Sequence, residues 1–388
     1  MTTKSTTVAV IGGGVIGTST LFHLASQHGV TDAVLFEKNQ LASGSTSKAA
    51  GGVRNFFTSP GNIEIGDWSI EYFKNFEERV GVDLEFRQHG YIWLFHSDEA
   101  RRQWEERVEF CRSHGVSADI IEPEEVVEHF PELDPDSIGG AVLASDCGHV
   151  DPSQVTQGFA RAATDLGATV ETGVGVTDVL TDGDAVTGVE TTEGTWEADV
   201  VVNAAGPWAG RIGEMAGVDL PLELWIRRIM VTSPVLDTGS PLFIDHERKC
   251  YFMAEQSGSL LVCDMDQDEF DIENPDTVAM DDIGYNYYLG TFEKIQPMIP
   301  ESADLDVING WAGLQTHTPD GNAIIGSTPV DGFFVACGFS GHGVQQSPLV
   351  GTTLADIIVD GETSLFDLEP FSLEGFESGN RGAAEEMA

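Results

Sequence analysis

The chain has 388 residues, 41% of them hydrophobic, and carries 19 Lys+Arg against 64 Asp+Glu, a formal net charge of −45. A surface of that sign excludes nucleic acid and anionic membranes as partners, and the apolar content excludes a disordered acidic chain. The length calls for two domains, built here from interleaved segments.

Acids recur in every segment instead of forming a tail, the pattern of a folded, halophilic protein whose self-repulsion is screened by salt. Five cysteines (Cys111, Cys147, Cys250, Cys263 and Cys337) form no close pair. Neither a disulfide framework nor a zinc ribbon is indicated, and a reducing, cytoplasmic location is expected. The first apolar run is broken by glycines, so no signal peptide and no membrane insertion are expected.

Val8, Ala9, Val10 and Ile11 run into Gly12-Gly13-Gly14-Val15-Ile16-Gly17 and then a helix over 18–27. In this Gly-x-Gly-x-x-Gly turn Gly12 permits the tight bend, Gly14 admits a pyrophosphate and Gly17 lets helix and strand pack closely. Val15 and Ile16 lie in the turn, and the helix that follows presents free N–H groups and its positive dipole end to phosphates. A second strand, 33–36, ends at Glu37 and Lys38, about twenty residues past the turn, where the acid meets an adenosine ribose. Strand, turn, helix, strand and acid in this order predict a dinucleotide site.

The stretch 41–54 is rich in small residues and hydroxyls. By composition alone it is as much a surface loop as a binding segment. After a dinucleotide unit, Ser45 and Thr46 become candidate donors to the pyrophosphate, and Gly51 and Gly52 let backbone approach a flat ring. Lys48 and Arg54 are two of the few cations.

Apolar residues over 63–80 fall at helical spacing. Residues 86–95 read as extended around Gly90, and 98–114 as a charged helix capped by Asp98. A short helix over 123–130, a strand over 140–144 and a helix over 152–166 opened by Asp151 follow. A meander of strands (170–171, 176–180, 186–191, 195–197) leads to the apolar run 200–203 of a buried parallel strand. Strands at 224–232, 242–244, 251–254 and 260–262, with one helix over 281–295, indicate a second, mostly antiparallel domain. Glycine-rich turns and a helix over 343–359 end the fold.

The expected fold class is α/β plus α+β: a Rossmann-like domain carrying the glycine turn, with an interleaved, mostly antiparallel substrate domain. Residues 1–84, 140–219 and 310–376 are assigned to the first, 85–139 and 220–309 to the second, and 377–388 to a disordered tail.

Four stretches resemble, in order, the flavoprotein family of D-amino acid oxidase, glycine oxidase and sarcosine oxidase. They are the unit from Gly12 to Glu37, the segment from Gly44 through Arg54, Val202-Asn203-Ala204-Ala205-Gly206-Pro207-Trp208, and the set Thr318-Pro319-Asp320-Gly321, Ile324-Ile325-Gly326 and Gly338-Phe339-Ser340-Gly341-His342-Gly343. The resemblance implies FAD, held without a covalent bond. Its contacts would be Gly12, Gly14, Val15, Ile16, Gly17, Glu37 and Lys38, then Ser45, Thr46, Ser47, Gly51, Gly52 and Val53. Val176, Ala205, Gly206 and Trp208 follow, with Gly313, Gly338, Phe339, Ser340, Gly341, His342, Gly343 and Val344 closing the site. The helix beginning at Gly343 would present donors and its dipole to a reduced flavin. NAD would leave the third and fourth stretches without a use.

The same resemblance implies oxidation of an amine or amino acid such as sarcosine, glycine, proline or a D-amino acid. Hydride would pass from the α-carbon to flavin N5, the imine would hydrolyse, and oxygen or another acceptor would take the electrons. Four positions depart from the relatives. Gly313 stands in place of a flavin-linking cysteine, Gln315 in place of a carboxylate-clamping arginine, Gln345 in place of a carboxylate-binding lysine, and Leu261 in place of an oxygen-activating lysine. The substrate carboxylate is left to Arg54, Lys48, His317 and one of Arg227 and Arg228, which alternate in a strand, with Tyr251 as hydroxyl donor. No metal-ligand spacing occurs. A 2-hydroxy acid or glycerol 3-phosphate type dehydrogenase and a flavin-bearing subunit without turnover are the alternatives, and homo- and hetero-oligomers both stay open.

Overall fold

The apolar run at residues 8–11 is buried because its strand, Lys4–Ile11, lies inside an eight-stranded sheet. Parallel strands Ala33–Glu37 and Gly194–Asn203 flank it, and Thr169–Thr172 and Phe333–Cys337 extend the parallel set on either side. The computed structural model describes residues 3–267, 272–278 and 283–379. Helix Val15–His28 packs against Pro152–Asp165 and Gly343–Val359. At the centre of that layer His23 is buried, with its Nε2 2.9 Å from the Tyr72 hydroxyl and its Nδ1 2.7 Å from the Ser19 carbonyl.

A second eight-stranded sheet runs in the order Val307–His317, Glu223–Pro234, Ser259–Asp264, Cys250–Ala254, Leu242–Asp245, Tyr91–Phe95, Gly140–Ala144 and Ala118–Ile121. Its neighbours are antiparallel except Leu242–Asp245 beside Tyr91–Phe95. Two of its strands contain residues expected in the dinucleotide-binding domain: Gly140–Ala144, and residues 310–317 of Val307–His317, both of which pair in the second sheet. Each finds its hydrogen-bond partner at long range, which local periodicity does not encode.

Smaller differences have local causes. The first helix begins at Val15, before the glycine at 17, since its N-cap is Gly14. The helix expected over 63–80 is two helices, Pro60–Lys74 and Phe76–Val80, parted at Asn75. Ser97, not Asp98, caps Asp98–Ser113, its side chain accepting from the Ala100 N–H. The two short strands expected at 195–197 and 200–203 are one strand, Gly194–Asn203, because both halves pair with Lys4–Ile11. Of the helix expected over 281–295, Tyr285–Ile295 is present and 281–282 lie outside the described residues. Leu373–Ser378 forms a short helix reaching into the expected tail, and residues 380–388 lie outside the described residues. Among the described residues no helix is long and apolar enough to cross a membrane.

One buried pair in the second sheet sets a pH response. His96 Nε2 lies 2.7 Å from Oδ2 of fully buried Asp245, and its Nδ1 3.1 Å from the Ser137 carbonyl. Both partners accept, so the ring is held as the imidazolium, and its pKa is raised chiefly by the Asp245 hydrogen bond. The stabilisation is complete below the ordinary imidazole value and is lost as pH rises through the higher folded value. His96→Gln is expected to cost about 1–3 kcal/mol at pH 6 and less at pH 8.5, measured by urea unfolding at both values.

Candidate functional site

A cavity of 510 Å³ lies between the ends of the parallel strands and the face of the second sheet, within the range of small-molecule and cofactor sites. Ile11, Phe36 and Ala204 contribute from the strand ends, and Arg227, Ile229, Ile244 and Tyr251 from the second sheet.

At the nucleotide end Gly12 has φ +112°, and a Cβ there would lie 2.4 Å from the Ala204 carbonyl oxygen. A Cβ on Gly17 would lie 2.0 Å from the Gly12 oxygen, so that glycine serves the packing of helix on turn. Gly14 has ordinary angles, φ −78° and ψ 179°, and its Cβ would project to 3.2 Å from Thr46 Oγ1. Thr46 Oγ1 accepts from the Val15 N–H at 3.2 Å, which leaves the hydroxyl proton available to donate. Glu37 spends one carboxylate oxygen on the Gly13 N–H (2.8 Å) and the other on the Asn39 N–H (2.7 Å). Each oxygen keeps capacity for a ribose hydroxyl.

The middle of the cavity is walled by Gly44 to Gly52 on one side and Gly313 to Thr316 on the other. Ser45 donates its hydroxyl proton to the Leu314 carbonyl, so it ties the two walls together. A Cβ on Gly52 would collide with the Tyr91 hydroxyl at 1.6 Å, and one on Gly51 with the Val150 carbonyl at 2.0 Å. Both glycines therefore make room for protein neighbours and not only for a flat ring. A Cβ on Gly313 would lie 2.8 Å from the Lys48 Cβ, so the lysine stem occupies the space a side chain at 313 would need.

The far end gathers two arginines, two tyrosines and two histidines: Arg54, Arg227, Tyr91, Tyr251, His317 and His342. Arg54 is buried, its guanidinium 4.4 Å above the Phe57 ring, and its Nη2 donates to His342 Nε2 at 3.1 Å. Guanidinium only donates, which fixes Nε2 of His342 as an acceptor. Burial, then Arg54, push the His342 pKa down to about 3. Burial likewise lowers His317 to about 3, with Arg227 adding to it; the ring stacks on Trp225 with centroids 3.9 Å apart, and its Nε2 is 3.1 Å from Gln315 Oε1. Both imidazoles are neutral at physiological pH. Burial drives the Tyr91 and Tyr251 pKa values upward, so both hydroxyls stay protonated donors.

Most of the residues singled out from the sequence meet here. Gly12, Gly14, Val15, Ile16, Glu37, Lys38, Ser45, Thr46, Lys48, Gly51, Gly52, Arg54, Val176, Ala205, Gly206, Trp208, Tyr251, Gly313 and His317 line the cavity, as does the run from Gly338 to Val344. Gly17, Ser47 and Val53 do not: Gly17 packs on the turn, Ser47 is exposed and Val53 is wholly buried core. Of the alternating arginines, Arg227 lines the cavity and Arg228 does not. Sequence reasoning missed Tyr91, Arg211, Ile229, Leu242, Ile244 and Asp276, which carry no local signal and arrive from distant strands and turns. His28, Asp356 and Asp360 are the one group among the described residues that brings three potential metal ligands together; none of them lines the cavity, and the site is empty.

The family model described as FAD dependent oxidoreductase (DAO) matches residues 7–357. This chain belongs to the FAD-dependent oxidoreductase family. It is 31% identical to FAD-dependent oxidoreductase domain-containing protein 1 of Xenopus laevis, over 96% of this chain and 82% of that one. To sarcosine oxidase subunit beta of an Arthrobacter species it is 28% identical, over 97% of this chain and 92% of that one. Among solved structures, L-proline dehydrogenase from P. horikoshii superposes with a TM-score of 0.87 at 28% identity, covering 97% of this chain and 99% of the other.

The residues present fit FAD. At the entry to the first helix a Cβ on Gly14 would project into the cavity wall beside Thr46 Oγ1. At the start of the helix Gly343–Val359, buried Gln345 accepts the Arg54 N–H on Oε1 at 2.9 Å, while its Nε2 has no hydrogen-bond partner. A buried donor left without an acceptor is costly, and this one lines the FAD cavity. Gly14→Val is expected to keep the fold and weaken FAD about 10²-fold or more, read as loss of bound flavin absorbance. Gly17→Ala, by contrast, is expected to lower the thermal transition of the apoprotein as well.

Proposed function

We propose that the protein oxidises a small N-alkylated amino acid, a secondary or tertiary amine bearing a carboxylate, with sarcosine, dimethylglycine and proline as the substrate type. The observation that carries this reading is the division of charge along the cavity. Among the described residues its lining carboxylates, Glu37 and Asp276, sit at the nucleotide end, whereas the far end has Arg54 and Arg227 and no lining carboxylate. Such a pocket selects an anion and offers no counter-ion to an ammonium, so the amine binds as the free base.

When bound, the flavin supplies the acceptor for hydride from the substrate α-carbon. Arg54 and Arg227 neutralise the substrate carboxylate, and the Tyr251 hydroxyl donates to it. His342, accepting from Arg54, aims the guanidinium. Neutral His317 stands beside the amine without repelling it. Ile229, Leu242 and Ile244 line the same end and keep water from the reacting carbon. The related proteins named for sarcosine and L-proline both act on secondary amino acids, which supports this class.

FAD is held without a covalent bond at Gly313. Acid precipitation is expected to leave all the flavin in the supernatant, and a yellow pellet would contradict this. Five free, buried cysteines support a reducing compartment such as the cytoplasm, and the −45 charge supports work at high salt. The subunit status of the sarcosine oxidase relative supports a hetero-oligomer.

The test is anaerobic bleaching of the bound flavin in high salt with sarcosine, dimethylglycine, proline, glycine, D-alanine, lactate and glycerol 3-phosphate. Bleaching by sarcosine, dimethylglycine or proline is expected. Bleaching by lactate or glycerol 3-phosphate alone would overturn the reading.

A further inference from the structure

Residues 272–278 lie in sequence between a second-sheet strand and the helix Tyr285–Ile295, yet they reach the nucleotide end of the FAD cavity. Asp276, half-exposed, lines the cavity there and collects donors from three places in the FAD-binding half. Oδ1 accepts from Lys38 Nζ at 3.0 Å and from Trp208 Nε1 at 2.8 Å, and Oδ2 from Arg211 Nη1 at 2.7 Å. Asn274 Oδ1 accepts from Arg211 Nη2 at 2.6 Å and from the Asp276 N–H at 2.9 Å, which sets the direction of the neighbouring carboxylate. The Lys38 ammonium also lies 3.6 Å from the centroid of the Trp208 ring. The three donors follow the strand ending at Glu37, close the turn Gly206–Trp208 and open the helix Ala209–Met215, so no single element holds the carboxylate.

We propose that Asp276 is a clasp: a positioning residue that ties segment 272–278 across the nucleotide end of the cavity, so that FAD leaves only when its three bonds open together. The three donors hold the carboxylate down to about pKa 2, so the clasp carries its charge throughout the working pH range. This inference concerns FAD retention and is independent of the substrate.

Plain electrostatics and the clasp predict opposite signs. FAD carries a negatively charged pyrophosphate, so removing a negative charge from its rim would by itself slow release. Opening the clasp speeds it. The experiment dilutes holoenzyme in high salt and follows the rise of flavin fluorescence for wild type, D276N, D276A and R211Q, with the thermal transition of each apoprotein recorded alongside. FAD release about tenfold faster in D276N and D276A, a smaller acceleration in R211Q, and unchanged apoprotein transitions are expected. A double variant D276N/R211Q is expected to release FAD no faster than D276N, since one latch is already open. Release from D276N that equals or is slower than wild type overturns the proposal. If D276A also lowers the apoprotein transition, R211Q decides: wild-type release from it overturns the clasp.

Discussion

Arg54→Gln will lower kcat/KM for a carboxylated amine about 10²–10³-fold, equivalent to about 3–4 kcal/mol, while FAD stays bound. Arg54 is 4% exposed and forms part of the cavity wall, where a carboxylate would exchange water for a rigid, fork-shaped donor. The substitution keeps the backbone N–H that holds Gln345 and removes only the guanidinium. Arg54→Lys keeps the charge but loses the planar contact with Phe57 and the geometry toward His342, so an intermediate loss of about tenfold is expected. The decisive comparison is with an amine of the same shape lacking the carboxylate. If both variants lose as much rate on that amine as on the acid, Arg54 acts on the flavin and not on the substrate anion.

Folding stability will fall steeply as pH drops from 6.5 to 5. His23, His149 and His317 are each at least nine-tenths buried, and burial lowers the first two to about 4 and the third to about 3. The unfolded chain takes up protons near the ordinary imidazole value, and the folded chain does not until far lower pH. The unfolded state therefore binds more protons between those values, and the stability present above 6.5 is lost as pH falls. Each histidine contributes about 1.5 kcal/mol to the loss over 1.5 pH units, and three together consume a large part of an ordinary domain's stability. His96 acts in the opposite direction, since its pKa is raised. Urea unfolding in high salt, where the acidic surface is screened, is expected to show the decline. His149→Asn, at a position that does not line the cavity, should reduce it by one histidine's share. An unchanged slope in that variant would overturn the account.

The dinucleotide unit was legible because its chemistry is local. A turn that needs φ +112° at Gly12, a close helix at Gly17 and an acid at the end of the next strand are all written within a few dozen residues. The same holds for the helix Gly343–Val359, which followed directly from its glycine-rich entry and apolar run. The four family stretches indicated FAD for the same reason. Where two chain segments had to be matched, local pattern was insufficient. Alternation in the strand Glu223–Pro234 established that Arg227 and Arg228 face opposite ways, but only the packing of that sheet shows that 227 faces the cavity. The hydroxyl of Ser45 turned out to be spent on Leu314, 269 residues away, and Gly52 is held open by Tyr91.

By itself, then, the sequence determined a dinucleotide site, the order of the binding segments and the surplus of surface carboxylates, because each rests on neighbouring residues or on composition; FAD in particular was implied by the family resemblance of four stretches. Only the tertiary structure decided the far end of the cavity and its rim. Tyr91, Arg227, Tyr251 and Asp276 are scattered from 91 to 276 and gain their roles from sheet pairing and hydrogen bonds. The division of charged residues along the cavity, and the carboxylate that bridges Lys38, Trp208 and Arg211, exist as distances across the fold. Coulomb and hydrogen-bond energies depend on those distances and not on spacing along the chain.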